Sequence, residues 1–384
     1  MARVSGDWLD APGTQAVLTL LTSAGYQAYA VGGCVRNALL GVAVADVDIA
    51  TDARPETVAE LAGAAGFRAV PTGIEHGTIT VIAHGEGHEV TTFRKDVETD
   101  GRRAVIAYAD TIADDARRRD FTINALYADA EGVLHDPIGG LADIRARRVR
   151  FIDDAHERIR EDYLRILRFF RFHAWYGDPA AGIDPDALAA CAELADGLDA
   201  LSRERIGAEM RKLLAAPDPA PALAVMAQTG ILARILPGAV AAGLAVLVHN
   251  EQALGLGPDW LRRLASLGGS DHRTRLRMKK ADARRLDLYR DKAGSGEPAE
   301  ELAWRHGAKA AQDIVLLRSS TLIAAPQADL IARTEAAAAQ VFPVRAADLA
   351  ETGLQGPALG ARLSELETRW IASGFRLDKA ALLA

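Results

Sequence analysis

The change of hydrophobic period near Phe151 constrains this chain's fold more than any other feature. Before it, short β-branched runs alternate with turns: Tyr29 to Val31, Val44 to Ala50, Thr78 to Ala83, Glu89 to Arg94 and Asn124 to Ala128, with a helical stretch at Thr57 to Ala65. After it, Ala and Leu recur at helical spacing with almost no β-branched alternation. Gly177-Asp-Pro179, Ala216-Pro-Asp-Pro219, Gly255 to Pro258, Leu267 to Ser270 and Gly294 to Pro298 punctuate the later helices. The pattern predicts an α+β head over residues 1–150 and an all-helical remainder, divided at 151–240 and 241–384. With 384 residues, 49% of them hydrophobic, the chain is expected to form more than one domain with packed cores. The apolar run Gly238 to Val248 is too short to span a bilayer and is read as a buried helix. Phe93 to Asp110 is polar and charged and is expected to include a mobile loop.

Within the head, Ala30-Val-Gly-Gly-Cys-Val-Arg-Asn-Ala-Leu-Leu-Gly41 precedes Ala45-Asp-Val-Asp-Ile-Ala50. A strand running into Gly32 and Gly33 lets the backbone approach a ligand, and the helix expected next turns free N–H groups toward it. Arg36 adds charge on the first turn. Asp46 and Asp48 lie two apart among strand-forming residues, so both carboxylates are expected on one face of the sheet. Carboxylates so placed repel one another unless a cation sits between them. Oxygen-only ligands beside a phosphate site favour Mg2+. A Gly-Gly after a strand is by itself more often only a tight turn, and a lone Asp-x-Asp a solvated strand end; it is the conjunction that points to a nucleotide-handling site.

Arg117-Arg-Arg-Asp-Phe-Thr-Ile-Asn-Ala-Leu126 places three arginines before residues that must be buried, at the edge of the core where they can meet a phosphate. Asp136-Pro-Ile-Gly-Gly-Leu-Ala-Asp143 reads as a structural turn. Arg160-Glu-Asp-Tyr-Leu-Arg-Ile-Leu-Arg-Phe-Phe-Arg-Phe172 is read as one helical segment carrying Asp162, Arg165, Arg168 and Arg171 at steps of three. Such a row is either a ladder of intrahelical ion pairs, worth about 0.3–0.5 kcal/mol each, or a reader of bases. Cytosine and adenine both present an amino donor beside a ring-nitrogen acceptor, and guanine and uracil reverse that order. An Asp acceptor next to an Arg donor therefore matches CTP and ATP.

The net charge of −7 excludes a uniformly basic nucleic-acid binder, so RNA contacts must come from local clusters of the 45 Lys and Arg. Arg273 to Lys280 with Arg284 and Arg285 is such a cluster, read equally as a phosphate-contacting surface or a solvated helix face. Cys34 and Cys191 make no disulfide framework or thiolate metal set, which fits a reducing, cytoplasmic setting, with Cys34 read as a small packing residue. Met1 to Pro12 has no apolar core, so no secretion signal is expected.

Five segments, in order, resemble motifs of the class II tRNA nucleotidyltransferase and poly(A) polymerase family: Gly32-Gly-Cys-Val-Arg36 with Asp46-Val-Asp48; Arg118 to Ala125; Asp136-Pro-Ile-Gly-Gly140; Glu161-Asp-Tyr-Leu-Arg165 continuing to Arg171; and Ser202-Arg-Glu-Arg-Ile206 with Glu209. The resemblance covers roughly residues 25–240. It implies a polymerase-β-like nucleotidyltransferase head, a mixed sheet with flanking helices, followed by helical neck, body and tail that bind the tRNA acceptor arm. By position, Gly33 and Arg36 would hold the triphosphate, Asp46 and Asp48 the magnesium, and Arg119 the nucleotide, with Asp162, Arg165, Arg168 and Arg171 lining its pocket. A third carboxylate often activates the attacking hydroxyl, and Glu89 is the candidate; ordinary buried pairing of Glu89 with Arg94 or another base is the competing reading. The family usually has Asp after the loop arginine, where this chain has Asn37, so a neutral hydrogen bond is expected in place of a salt bridge. The implied activity is CCA addition to tRNA from CTP and ATP. A poly(A) polymerase, an A-only or CC-only enzyme, and a catalytically silent RNA-binding protein remain alternatives.

Overall fold

The computed structural model describes residues 2–100 and 103–384. The chain divides into two compact units, Met1–Glu209 with Thr229–Arg234, and Met210–Gln228 with Ile235–Ala384.

All strands lie in the first unit: β1 (Ala28–Val31), β2 (Asp48–Thr51), β3 (Arg68–Gly73), β4 (Thr78–Ala83), β5 (Glu86–Thr92), β6 (Arg94–Asp100), β7 (Arg103–Tyr108), β8 (Tyr127–Ala128) and β9 (Leu134–His135). Seven form one sheet in the order β3-β4-β5-β2-β1-β8-β9. Only β2 and β5 pair in parallel, so the sheet is mixed. Alternation in β4 buries Ile79, Val81 and Ala83 on one face. With Ile49 and Val90 they pack against Val17, Leu18 and Leu21 of the Pro12–Ser23 helix and Val58 and Ala62 of the Pro55–Ala64 helix. Each of the Val, Leu and Ile side chains contributes about 1.5–3 kcal/mol on burial. The opposite face is covered where Val31, Ala50, Phe93, Tyr127 and Ile152 cluster.

Some elements lie outside the pattern read in the sequence. β3 contains Pro71 and Gly73; at the sheet edge a missing N–H costs nothing, and the β3–β4 register shifts between Val70 and Gly73. Phe93 to Asp110, expected to include a mobile loop, also carries the two-stranded ribbon of β6 and β7, whose backbones satisfy one another without hydrophobic alternation. Positions 101–102, the middle of that expected loop, lie outside the described residues. In the run Gly238 to Val248 the helix begins only at Leu244, and Val240 is 61% exposed.

The second unit is helical throughout its described residues. Its most unusual core contains Arg262 and Arg263, both 1% exposed, bound to the buried carboxylates of Glu251 and Asp313. Arg285, from the basic cluster, joins this network through Asp259, Asp313 and Tyr289, so it is not a free surface charge. A separate apolar cluster gathers on Trp370, with Leu366, Val344, Leu349 and Leu382. Among the described residues no helix is long and apolar enough to cross a membrane.

Candidate active site

β1 delivers the chain to Gly32, whose φ of 74° favours glycine. A Cβ there would lie 3.2 Å from the Arg119 guanidinium, so the loop also needs the space. The Gly33–Leu39 helix follows. Cys34 is buried in it, its thiol donating to the Val31 carbonyl, and burial pushes the thiol up to about 11; this is a packing residue, as expected. Arg36 is 7% exposed. It donates to Asn124 Oδ1, to the Tyr176 hydroxyl at 2.8 Å, and to Asn37 Oδ1 at 2.9 Å and 3.2 Å. The neutral bond expected from Asn37 is therefore present. The same guanidinium lies over the rings of Tyr176 and Phe172, 4.0 and 5.2 Å from their centroids.

Asp48 is the first residue of β2, and Asp46 sits in the irregular segment before it. The strand expected from Val44 does not form there, so the two-residue period of a strand does not fix the two carboxylates on one face. Glu89 of β5 stands in register beside Asp48. The Asp48 carboxyl is held above its usual range by desolvation in its concave setting, then by the neighbouring charges of Glu89 and Asp46, with Arg119 opposing. Among the described residues no ion pair is seen for Asp46, Asp48 or Glu89.

The burial expected after Arg119 is present, but the strand expected from Asn124 to Ala128 is only Tyr127–Ala128, because Thr122–Asn124 forms a tight turn instead. Phe121, Ile123, Ala125 and Leu126 are buried. Arg118 and Arg119 are anchored on Asp115 at 2.8 and 3.0 Å, and Asp115, 1% exposed, also accepts from the Tyr127 hydroxyl at 2.7 Å. Burial alone would raise the Asp115 pKa, but Arg119, Arg118 and Tyr127 more than offset it and hold it well below the usual carboxylate range. Farther along, Asn124 donates to Asp120 at 2.9 Å and Arg168 donates to the other Asp120 oxygen at 2.6 Å. A continuous chain thus runs Arg36–Asn124–Asp120–Arg168. Asp136 receives the N–H groups of Gly140 and Leu141, at 2.8 and 3.0 Å, and fastens the Gly140–Arg145 helix. A Cβ on Gly140 would meet the Thr122 carbonyl at 2.2 Å, which explains the glycine.

The Arg160–Phe172 segment is two helices, Ala155–Glu161 and Leu164–Tyr176, broken at Asp162, whose backbone is extended. Asp162 Oδ1 accepts from the Leu164 N–H at 3.1 Å, a capping preference that a periodicity argument cannot see. The ladder of intrahelical pairs does not form. Asp162 pairs instead with Arg205 at 2.6 Å, Arg165 with Glu161, Arg168 with Asp120 and Arg171 with Glu209 at 2.6 Å.

A cavity of about 410 Å³ gathers Gly33, Arg36, Asp48, Arg119, Asp162, Arg165 and Arg168. Asp46, Glu89 and Arg171 are outside its lining; Glu89 adjoins it through Asp48, and Arg171 through Phe172, whose ring centroid is 4.3 Å from its guanidinium. Sequence reasoning placed Arg118 only as one of three arginines able to meet a phosphate, and gave no role to Asp120, Asn124, Phe172 or Arg205; all five line the cavity. The signals were present: the first three stand in the same segment as Arg119, Arg205 in the Ser202–Ile206 motif, and Phe172 and Tyr176 four and eight residues past Arg168 on one helical stripe. Among the described residues no three His, Cys, Asp or Glu side chains form a metal cage, so a cation here would need ligands from the substrate.

A unit with a mixed sheet, a glycine loop, unpaired aspartates and a cationic cavity defines a nucleotidyltransferase of the polymerase-β-like class. Residues 28–150 match the family model of the poly(A) polymerase head domain, and residues 182–242 the model described as a probable RNA- and SrmB-binding site of polymerase A. The chain is 33% identical over 392 residues to the mouse mitochondrial CCA tRNA nucleotidyltransferase 1, covering 97% of this chain and 89% of that protein. With the human protein of the same name it is 42% identical over 203 residues, about half of each chain. The solved structure of the Bacillus stearothermophilus CCA-adding enzyme in complex with CTP superposes with a TM-score of 0.74 at 29% identity, covering 94% of this chain and 92% of that one. The chain belongs to the class II CCA-adding enzyme and poly(A) polymerase family, and it is a nucleotidyltransferase. Nucleotidyltransferases of this family are metal-dependent.

Proposed function

We propose that this protein completes the 3′ end of tRNA, adding C and A from CTP and ATP and releasing pyrophosphate. The observation that carries the reading is the cavity itself, which sets an unpaired carboxylate, Asp48, against six arginines and the Asp162 acceptor. Similarity to a CCA tRNA nucleotidyltransferase over 97% of the chain supports tRNA as the acceptor. In functional terms, residues 1–150 act as the catalytic head, 151–240 carry base-reading and RNA-binding residues, and 241–384 bind tRNA, in a cytoplasmic setting.

Arg36, Arg119 and the Gly33 backbone hold the triphosphate, whose negative charge they neutralise before and during transfer. Asp46 and Asp48 fit a divalent cation, Mg2+, because an oxygen donor set with uncompensated mutual repulsion gains most from one. When bound, the ion lowers the pKa of the attacking hydroxyl and stabilises charge on the leaving oxygen. Glu89, in register with Asp48, takes the proton of the RNA 3′-hydroxyl as its oxygen attacks the α-phosphorus. Asp162 keeps spare acceptor capacity beyond its bonds to Arg205 and Leu164, since a carboxylate accepts about four hydrogen bonds. With Arg165 it reads the amino donor and ring acceptor shared by C and A. Arg168 and Arg171 steady that helix. The test is addition to a tRNA transcript lacking CCA, resolved to single nucleotides, with CTP, ATP, both, or UTP and GTP. Three additions requiring both CTP and ATP are expected; a lengthening A ladder would replace this reading with poly(A) synthesis.

A further inference from the structure

Six arginines line the cavity, and five of them have a carboxylate partner: Arg118 and Arg119 share Asp115, Arg165 has Glu161, Arg168 has Asp120 and Arg205 has Asp162. Arg36 alone has none among the described residues. Its hydrogen bonds go to two amide oxygens and a phenol, and its faces rest on Phe172 and Tyr176. Burial presses on this charge and lowers the Arg36 pKa, while the Tyr176 hydroxyl opposes that shift most. An arginine in this state keeps its full charge for a ligand, since no protein anion competes for it. It also lacks the fork-to-fork pairing that ordinarily fixes a guanidinium plane, so something neutral must orient it.

We propose that Tyr176 is a positioning residue for substrate triphosphate. Its hydroxyl and ring, with the amide oxygens of Asn37 and Asn124, hold Arg36 in the phosphate-facing orientation, doing with neutral groups what a carboxylate at position 37 would do with a charged one. The geometry gives the contact a second consequence. Tyr176 lies on the Leu164–Tyr176 helix together with Arg165 and Arg168, and Phe172 between them touches Arg36, Arg168 and Arg171, at 5.2, 5.2 and 4.3 Å from its centroid. The helix capped by Asp162 therefore carries Arg165 of the base-reading pair and also braces the phosphate-holding arginine, so that a nucleotide seated at one end finds the other already in place. The inference rests on the assignment of Arg36 to the triphosphate made above, and it deepens that assignment.

The experiment is steady-state CTP and ATP addition to a tRNA lacking CCA, for the wild type, Tyr176→Phe, Tyr176→Leu, Asn37→Asp, the Asn37→Asp/Tyr176→Leu double variant, and Arg36→Ala as reference. Tyr176→Phe keeps the ring and loses one hydrogen bond, so KM for both nucleotides should rise about threefold. Tyr176→Leu loses the ring as well, and KM should rise about tenfold, with kcat and the preference between C and A nearly unchanged. Asn37→Asp in the Tyr176→Leu background should restore most of that loss, because the carboxylate re-orients Arg36; a residue that served only to pack the helix would show no such rescue. If Arg36→Ala raises KM and neither Tyr176 variant does, or if Asn37→Asp brings no recovery, the role of Tyr176 is overturned while Arg36 keeps its own. If Arg36→Ala leaves KM unchanged, the triphosphate assignment fails and the proposal falls with it.

Discussion

Arginines do opposite work in the two units. Around the cavity of the first, Arg119, Arg165, Arg168 and Arg205 are each tied to one carboxylate yet keep between 12% and 33% of their side-chain surface accessible. In the second, Arg262 and Arg263 are 1% exposed, and their donors are taken up by Glu251, Asp313 and the carbonyls of Leu214, Ala216, Pro217 and Gly257. The same residue is poised for a ligand in one place and serves as an internal cross-link in the other. What separates the two roles is whether a face and some donors are left over after the protein's own carboxylates and carbonyls have been served.

The comparison can be broken at four points. Largest is the loss of Asp48: Asp48→Ala should reduce nucleotide addition on the order of a thousandfold or more, about 4 kcal/mol of transition-state stabilisation. Because Asp48 has no ion-pair partner to strand and its neighbours repel it, the folded state should not suffer, and a melting temperature clearly below wild type would contradict the picture of an uncompensated carboxylate. Next, Arg263→Met in the second unit should lower stability by about 3–5 kcal/mol in urea unfolding, since Glu251 would be left buried with less compensation. A cost below about 1 kcal/mol would place this network with ordinary surface pairs. Third, Asp162→Asn converts an acceptor-only group into one that also donates, and misincorporation of UTP or GTP relative to CTP should rise about tenfold. Its stability effect should be under about 1 kcal/mol, because both Asp162 and Arg205 are partly exposed. Smallest is the response to acid. Asp115, Asp120 and Asp143 are held below the usual carboxylate range by their arginine and hydrogen-bond partners despite burial. Their contribution is therefore fully present above about pH 4, the unfolded value, and is lost as pH falls through the lower folded values. Melting of the Asp120→Asn variant should show a shallower fall below pH 4 than wild type.

Much of this was legible in the chain because it depends on short-range pattern. The strand before Gly32, the buried alternation of β4, the helical remainder and the core run after Arg119 follow from hydrophobic period and from glycine's freedom at positive φ. So does the order of the motifs, since a loop, a strand end and a helix face are each local objects. The errors were also local. Asp162 was given to a continuous helix because its spacing fits one, and a capping bond to Leu164 broke it. Asp46 is expected in a strand, and the strand starts two residues later.

Partnership was another matter. That Arg168 would bind Asp120, Arg171 Glu209 and Asp162 Arg205 depends on side chains brought together from 38 to 48 residues apart, and any of several carboxylates in the sequence would have satisfied the same charge rule. Tertiary structure alone decided which of the cavity's arginines would be left, among the described residues, without an anion. That this is Arg36 follows from the aromatic stripe reaching it from a helix 140 positions away, because ion pairing acts through distance in space and the amino-acid order records only distance along the chain.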